Sequence, residues 1–311
     1  MKIVQIGTGG WGKNHCRVLS ELGVLSAVCD KDLHLAEEFG KKYSVNFYNS
    51  LETLLEKEEF DAAFICTPTI THADIATKLI ESKKHVFVEK PLTYLSDDGK
   101  KLVDMANKNN VVLTCGYIER FNPAVSTVKD FLTSKKYGDL IRLEFYREHR
   151  MPQHIKDVGI IYDTAVHDID TAMWLFGKTP EVVFAIAGKI NHEHEDFATI
   201  MLGFKDNKTA TISSNWITPT RVRNFNAVCT DGRIFSDFIT QEIRIETDHG
   251  TENPKNEKTE PLLLEIKNFL GAIETKNDII VKAEQAVNVT KIAEAALLSS
   301  KKGIPIYLDI K

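Results

Sequence analysis

The sequence has few cysteines and no long apolar run, and both absences narrow the class of protein. Its five cysteines are an odd number without C-x-x-C spacing, so they predict neither a disulfide framework nor a zinc site. The N-terminus, MKIVQIGTGG, is too short and too rich in glycine for a signal peptide, and no apolar stretch of about 18 residues follows it. We therefore expect a cytoplasmic protein that neither crosses a membrane nor is secreted.

An excess of positive charge is also missing. Lys plus Arg total 39 against 44 for Asp plus Glu, which gives a net charge of -5. This balance does not predict a surface for nucleic acid, so any phosphate must be bound locally. The 311 residues, 43% of them hydrophobic, are enough for two domains with apolar cores.

The first third of the sequence alternates short apolar strands with amphipathic helices. KIVQIG, LSAVCD, AAFICTP, HVFVEK and VVLTCGY have the composition of strands, and the segments between them have helical periodicity. Ser50 and Ser96 are placed to cap two of these helices. The alternation predicts an α/β Rossmann domain over residues 1–118, with a doubly wound parallel sheet and ligands beyond the carboxyl ends of its strands.

After about residue 117 the pattern changes to strands joined by turn signals such as Asp231-Gly232. One helix, TAVHDIDTAMWLFG, interrupts them, and Gly177 is placed to end it. We predict that residues 119–311 form an α+β domain with a largely antiparallel open sheet, whose free face offers a surface for a dimer. The predicted strands are 139–150, 181–190, 197–204, 209–216, 225–230 and 243–247.

Gly7, Gly9 and Gly12 form a G-x-G-x-x-G motif directly after the first strand and at the start of the first helix. Glycine there permits a tight turn, close approach of the backbone to a pyrophosphate, and close packing of helix on strand. Asp30 ends the second strand, where a carboxylate accepts hydrogen bonds from the adenosine ribose. It favours NAD over NADP by repelling a 2′-phosphate, although Lys31 offsets part of this repulsion. The predicted cofactor-binding residues are Gly7, Gly9, Gly10, Trp11, Gly12, Asp30, Lys31, Thr67, Pro68 and His72.

Two further strand ends carry motifs. The Thr-Pro pair at 67–68 follows AAFIC, where a loop would run along the cofactor toward the nicotinamide, and His72 opens the next helix. In VFVEKP, residues 86–91, the apolar run ends at Glu89 and Lys90, because the following proline cannot donate a further ladder bond. Taken alone, these two charges fit either a solvated ion pair or groups that act on a ligand.

A second cluster of polar residues lies in YDTAVHDID. On a helix, Asp163 and His167 would share a face, with Asp170 close to His167. Such a pair can take a proton from a substrate hydroxyl. A surface helix with ordinary charge pairing explains the same residues equally well. No second histidine stands at a convincing distance, so we do not predict a metal.

In combination, GTGGWG, TPTITH, EKP and D-x-x-x-H resemble, in this order and over nearly the whole chain, the family of glucose-fructose oxidoreductase and inositol dehydrogenase (Gfo/Idh/MocA). The resemblance adds Glu89 and Lys90 to the predicted cofactor-binding residues. It implies that Lys90 is the active-site lysine, with a cis bond before Pro91, and that Asp163 and His167 are motif residues of the second domain. It further implies NAD(P)-dependent oxidation of a secondary hydroxyl on a sugar ring by a dimer or tetramer. We favour His167 as the base and leave Lys90 as the alternative.

The stretch GYIERFNPAV, residues 116–125, resembles the subgroup that oxidises the 3-hydroxyl of UDP-N-acetylglucosamine and related nucleotide sugars. The cations in YREHRMP would then bind the diphosphate of such a substrate. A solvated edge strand explains the charges of YREHR equally well. Arg120 could form an interdomain salt bridge instead of binding the substrate. A dehydrogenase of a free cyclitol or aldose stays open, as does a regulatory protein that only binds NAD. Such a regulator does not need an acid–base set. The predicted substrate-binding residues are Tyr117, Glu119, Arg120, Asn122, Arg147 and Arg150.

Overall fold

The chain divides into two compact units. The computed structural model describes residues 1–152, 155–275 and 278–309. The first unit comprises Met1–Tyr117 and Leu262–Val287, and the second comprises Ile118–Pro261 and Asn288–Lys311. One unit contains a parallel six-stranded sheet and the other a mostly antiparallel nine-stranded sheet, which confirms the predicted fold class.

The first sheet has six parallel strands in the order 3-2-1-4-5-6. Every residue of the first and fourth strands is buried, as expected for a parallel sheet that is covered on both faces. The strand order reverses between these two strands, which is where open α/β sheets bind ligands. The strands are β1 (Ile3–Ile6), β2 (Leu25–Cys29), β3 (Asn46–Tyr48), β4 (Ala62–Ile65), β5 (His85–Val88) and β6 (Leu113–Cys115).

Five helices follow the first five strands of this sheet. They are α1 (Gly12–Glu21), α2 (Leu33–Tyr43), α3 (Leu51–Lys57), α4 (His72–Glu81) and α5 (Ser96–Asn109). Ser50 caps α3 as predicted, because its hydroxyl accepts the Thr53 N–H at 3.1 Å. The predicted cap by Ser96 is wrong. Leu95 is the extended N-cap residue before α5, and Ser96 is already the first helical residue.

The second sheet has nine strands in the order 14-13-12-11-7-10-9-8-15. All neighbouring pairs are antiparallel except the seventh and tenth strands, which run parallel. The strands are β7 (Leu140–Glu148), β8 (Val182–Gly188), β9 (Phe197–Phe204), β10 (Lys208–Asn215), β11 (Val222–Cys229), β12 (Gly232–Asp237), β13 (Ile243–Thr247), β14 (Gly250–Glu252) and β15 (Ile306–Tyr307). Because β7 lies in the middle of this sheet, the alternative of a solvated edge strand for YREHR is wrong.

The two faces of the second sheet differ in burial. The rings of Phe145 in β7 and Phe225 in β11 stack on the buried face, with their centroids 5.4 Å apart. Two helices contact this sheet: α7 (Val166–Phe176) contacts β7 and β10, and α6 (Pro123–Thr133) contacts β12. On the opposite face Tyr146 and Met201 are 41% and 49% exposed. Association through this face, as a homodimer or homotetramer, stays a prediction.

The last two helices are α8 (Pro261–Thr275) and α9 (Ala283–Lys302). The sequence analysis assigned all of 119–311 to the second domain, but residues 262–287 pack with the first unit. Phe269 of α8 explains this difference, because its ring contacts Phe64 of β4 and Phe87 of β5 edge-on at 5.3 and 5.7 Å. Within the described ranges, no helix has both the length and the apolar character that a membrane crossing requires.

Candidate active site

The glycine loop lies at the carboxyl end of β1 and has the shape that a dinucleotide needs. Gly7 has a φ of 82°, and a Cβ there would collide with the carbonyl group of Cys66. A Cβ at Gly12 would collide with the carbonyl oxygen of Gly7. A Cβ at Gly9, by contrast, would meet no atom within 4 Å, so the loop is open on that side. The residues present therefore fit a pyrophosphate held against the loop and the N-terminus of α1.

Asp30 follows β2 and is oriented by the glycine loop. Its Oδ2 atom accepts the Thr8 N–H at 2.8 Å and the Thr8 hydroxyl at 3.1 Å. Its Oδ1 atom accepts the Asp32 N–H at 3.0 Å. The carboxylate is thus fixed beside the loop, in the position that the sequence predicted for a ribose ligand. Lys31, the residue that weakens the preference for NAD, is exposed.

His72 connects the loops that follow β4 and β5. It begins α4, as predicted, and its ring is buried. Its Nδ1 atom lies 2.8 Å from the carbonyl oxygen of Pro91, and its Nε2 atom lies 2.9 Å from that of Thr67. The ring therefore holds the two loops together, and direct contact between His72 and a cofactor stays a prediction.

Glu89 is buried behind Lys90 at the carboxyl end of β5. Its Oε1 atom lies 2.7 Å from Nε2 of His15, and its Oε2 atom accepts the Lys90 N–H at 3.1 Å. The Lys90–Pro91 bond is cis, as the resemblance implied. Glu89 thus fixes the backbone from which the Lys90 side chain extends. This role was not part of the prediction, which gave Glu89 a direct contact with the cofactor.

The sequence analysis did not identify His15. Its position in α1, three residues after Gly12, places it on the same face of the helix as that glycine, which is a signal that could have pointed to it. Its ring is fully buried. Possible ligand atoms of His15, Cys66 and Glu89 lie within 4.8 Å of one another. Burial, and then the charge of Glu89, raises the pKa of the Cys66 thiol well above its ordinary value. Since metals bind the thiolate, this cluster does not favour a metal site.

In the second unit, the helix with the Asp-His motif begins irregularly. A single π turn, Ile161–Ala165, precedes α7, and Gly177 ends the helix with a φ of 64°, as predicted. Asp163 lies in the π turn and His167 in the first turn of α7, and both are partly exposed. Because a π turn changes the angular spacing of side chains, the predicted α-helical pairing of these two residues does not apply directly.

Hydrogen bonds hold this helix start in place. Thr164 donates its hydroxyl to Asp163 Oδ2 at 3.0 Å and accepts the indole N–H of Trp216 at 3.2 Å. The hydroxyl of Thr171 donates to the His167 carbonyl at 2.8 Å. The backbone that carries the predicted acid–base residues is therefore attached both to its own helix and to the residue after β10.

Two arginines that were expected to bind substrate form buried ion pairs within the second unit. Arg147 donates to both carboxylate oxygens of Asp168 at 2.8–3.1 Å and to Glu119 at 2.9 Å. Arg120 donates to the two oxygens of Asp170 at 2.9 and 2.6 Å. Both guanidinium groups are 1% exposed. These contacts do not favour diphosphate binding by either arginine, and Asp170, which pairs with Arg120, belongs to the same unit as Arg120.

The other predicted substrate residues are also mostly buried. Asn122 caps α6 by accepting the Ala124 N–H at 3.1 Å, and its amide donates to the Phe238 carbonyl at 2.9 Å. Tyr117 and Glu119 are 1% and 7% exposed. Arg150, after β7, is exposed and is the member of the predicted set most open to a ligand.

Comparison with known proteins gives matches over both units. A family model described as an oxidoreductase family with an NAD-binding Rossmann fold, GFO/IDH/MocA, matches residues 1–117. The model of the GFO/IDH/MocA C-terminal domain matches residues 125–235. Together the two matches cover most of the chain.

Individual relatives act on different substrates. The chain is 26% identical over 283 residues to UDP-N-acetylglucosamine 3-dehydrogenase of Acidithiobacillus ferrooxidans, with 88% of each chain covered. It is 27% identical over 296 residues to the scyllo-inositol 2-dehydrogenase (NAD(+)) of Bacillus subtilis, with 89% of this chain and 85% of the relative covered. A solved structure of the Acidithiobacillus ferrooxidans enzyme matches with a TM-score of 0.89 at 25% identity, over 97% of this chain and 98% of that one. Sequence identity alone therefore does not choose between the two substrates.

Proposed function

Since this chain belongs to the Gfo/Idh/MocA oxidoreductases, as its motifs predicted, we propose that it oxidises the 3-hydroxyl of UDP-N-acetylglucosamine or a related nucleotide sugar. It is a dehydrogenase with an NAD-binding Rossmann domain. The observation that carries the proposal is Lys90, whose N–H is held by Glu89 at the carboxyl end of β5. The similarity to a UDP-N-acetylglucosamine 3-dehydrogenase over 88% of both chains supports the substrate.

The residues of the first unit bind and orient the cofactor in this proposal. Gly7, Gly9 and Gly12 hold the pyrophosphate, and Asp30 accepts from the adenosine ribose. The carboxylate favours NAD over NADP, because a 2′-phosphate would add a second negative charge beside it. When bound, NAD supplies the hydride acceptor for the carbinol carbon. The remaining chemistry, which is removal of the hydroxyl proton, belongs to the side chains of the protein.

His167 takes the hydroxyl proton in the proposed reaction, and Lys90 donates a hydrogen bond to the same oxygen. An ammonium there stabilises the negative charge that develops on the oxygen, so it contributes most in the transition state. Asp163 polarises or orients His167. Loss of the proton from oxygen and of the hydride from carbon leaves a ketone.

An inositol dehydrogenase is the second candidate, because the scyllo-inositol enzyme of Bacillus subtilis is as similar as the nucleotide-sugar enzyme. An assay with NAD separates the two candidates by following NADH absorbance with UDP-N-acetylglucosamine, myo-inositol, scyllo-inositol and glucose as substrates. The proposal predicts a kcat/KM for UDP-N-acetylglucosamine about 100-fold or more above that of any other substrate, which is about 2.7 kcal/mol in transition-state binding. A higher value with an inositol would instead establish the second candidate.

A further inference from the structure

Two arginines lie side by side on the buried face of the second sheet. β7 and β11 are antiparallel neighbours, and their register pairs Arg147 with Arg223 directly. Residues paired in this way point to the same face, and Phe145 and Phe225 stack on that face two residues further along the strands. Like charges directly opposite each other destabilise a strand pair. The position of Arg223 therefore requires an explanation.

The two arginines differ in their partners. Asp168 and Glu119 accept from Arg147, whose guanidinium also lies 4.8 Å over the ring of Phe238. The Nε atom of Arg223 is buried without a hydrogen-bond partner among the residues that the structure describes. Glu119 and Asp168, the carboxylates whose charges act on Arg223, are already bonded to Arg147. A buried guanidinium N–H without an acceptor is unfavourable unless a ligand provides one.

The two arginines near Arg223 act on its pKa more strongly than the two carboxylates do. Burial, and then the charges of Arg147 and Arg221, lowers the pKa of Arg223 to about 10, while Glu119 and Asp168 act in the opposite direction. Burial, together with the charges of Arg223 and Arg221, also lowers the pKa of His149. An excess of positive charge together with an N–H that lacks an acceptor is the environment that an oxyanion needs.

We propose that Arg223, with Arg221 beside it, binds an oxyanion of the substrate. The ligand chemistry is a phosphoryl or a carboxylate oxygen facing a guanidinium, and the phosphoryl source rests on the proposed nucleotide sugar. Asp168 follows His167 in α7 and accepts from Arg147, the direct cross-strand neighbour of Arg223, so the oxyanion site belongs to the same part of the second unit as the predicted base. In this proposal Arg223 takes the place of Arg147 as the cation that binds the substrate, because the guanidinium of Arg147 already donates to Asp168 and Glu119.

Chemical protection of the wild-type protein tests the site without any substitution. The NAD-loaded protein is treated with phenylglyoxal, which modifies accessible guanidinium groups, and modification of Arg223 is measured by peptide mass spectrometry. UDP and D-glucuronate serve as the phosphoryl and carboxylate probes. Protection of Arg223 by UDP supports a phosphoryl site, and protection by glucuronate alone supports a carboxylate site. Absence of protection by both probes overturns the proposal.

Variants measure the contribution of the side chain to binding. Titration calorimetry of UDP into the NAD-loaded protein should show a Kd about 10- to 100-fold higher for Arg223→Gln, as expected for loss of a charged hydrogen bond. Arg223→Lys keeps the charge without the forked donors and should lose less. Arg142→Gln, at an exposed residue of β7, is the matched control and should leave the Kd unchanged.

The result for the subsite is separate from the result for the function. If UDP protects Arg223 while the protein oxidises only inositols, the oxyanion site stands and the proposed substrate is wrong. If UDP-N-acetylglucosamine is oxidised but Arg223→Gln binds UDP as tightly as the wild type, the oxyanion site is wrong and the function stands. Should Arg223→Gln not fold, Arg223→Lys and the protection experiment decide. The Kd for NAD should be unchanged in every folded variant.

Discussion

Asp168→Asn should strongly destabilise the second unit. Asp168 is fully buried, and its oxygens accept three hydrogen bonds from Arg147 at 2.8, 3.0 and 3.1 Å. Asparagine keeps the shape of the side chain and removes its charge. Among the residues that the structure describes, Arg147 would then retain Glu119 as its anionic partner, with Arg223 paired against it on the next strand.

The magnitude follows from the burial of this pair. Removing one partner of a buried ion pair leaves an uncompensated charge and costs about 3–5 kcal/mol. That is a large part of the total stability of about 5–15 kcal/mol that is typical of a folded domain. Asp97→Asn is the matched control, because Asp97 pairs with Lys100 at the same distance of 2.8 Å but its side chain is 79% exposed. An exposed pair contributes little, so this variant should unfold almost as the wild type does.

Urea unfolding followed by tryptophan fluorescence is the assay. Trp174 and Trp216 lie in the second unit and Trp11 in the first, so the signal reports mainly on the unit that contains Asp168. The midpoint should fall clearly for Asp168→Asn and hardly at all for Asp97→Asn. Equal midpoints for the two variants would show that the Arg147–Asp168 pair does not stabilise the fold, and would refute the reasoning.

Three further predictions concern the proposed cofactor residues of the first unit and the proposed oxyanion residue of the second. Glu89→Gln should lower kcat about tenfold or more in steady-state assays, because an amide cannot accept from both the Lys90 N–H and the His15 ring; wild-type turnover would exclude this role. The wild type should have a higher kcat/KM with NAD than with NADP, and Asp30→Ala should narrow the ratio at least about tenfold by removing the repulsion of the 2′-phosphate. A wild-type preference for NADP would contradict the assignment of Asp30. Arg223→Gln should raise the pKa of His149 in an NMR titration, because it removes one of the positive charges that lower this pKa; an unchanged titration would mean that Arg223 does not face His149.

Most of the fold could be predicted from local patterns. Apolar strands alternating with amphipathic helices specified the parallel sheet, and turn signals specified the antiparallel one. β12 was not predicted, because the turn at Asp231-Gly232 was recognised without the strand that follows it. The association of residues 262–287 with the first unit depends on Phe269 packing against Phe64 and Phe87. No local pattern contains such a distant contact.

The site was predictable only where a motif has a fixed position. The glycine loop, Asp30 and the turn at Glu89–Pro91 follow from their places at strand ends. A charge in a sequence, however, does not show whether it is exposed or buried, so Arg147 and Arg120 were expected at the substrate although both are in buried ion pairs. His15 and Arg223 lie in no recognised pattern. Their roles depend on Glu89 and on the register of β7 and β11, which only the folded chain specifies.

In the proposed reaction, the imidazole of His167 removes the hydroxyl proton and the ammonium of Lys90 stabilises the charge that develops on the oxygen. The most direct test of these roles is the kcat of His167→Ala and Lys90→Ala with a saturating sugar substrate, measured alongside the Kd for NAD by fluorescence titration. We expect each substitution to lower kcat about 100-fold or more while NAD binding is preserved, as expected for loss of an acid–base group. Turnover close to that of the wild type in either variant would contradict these roles.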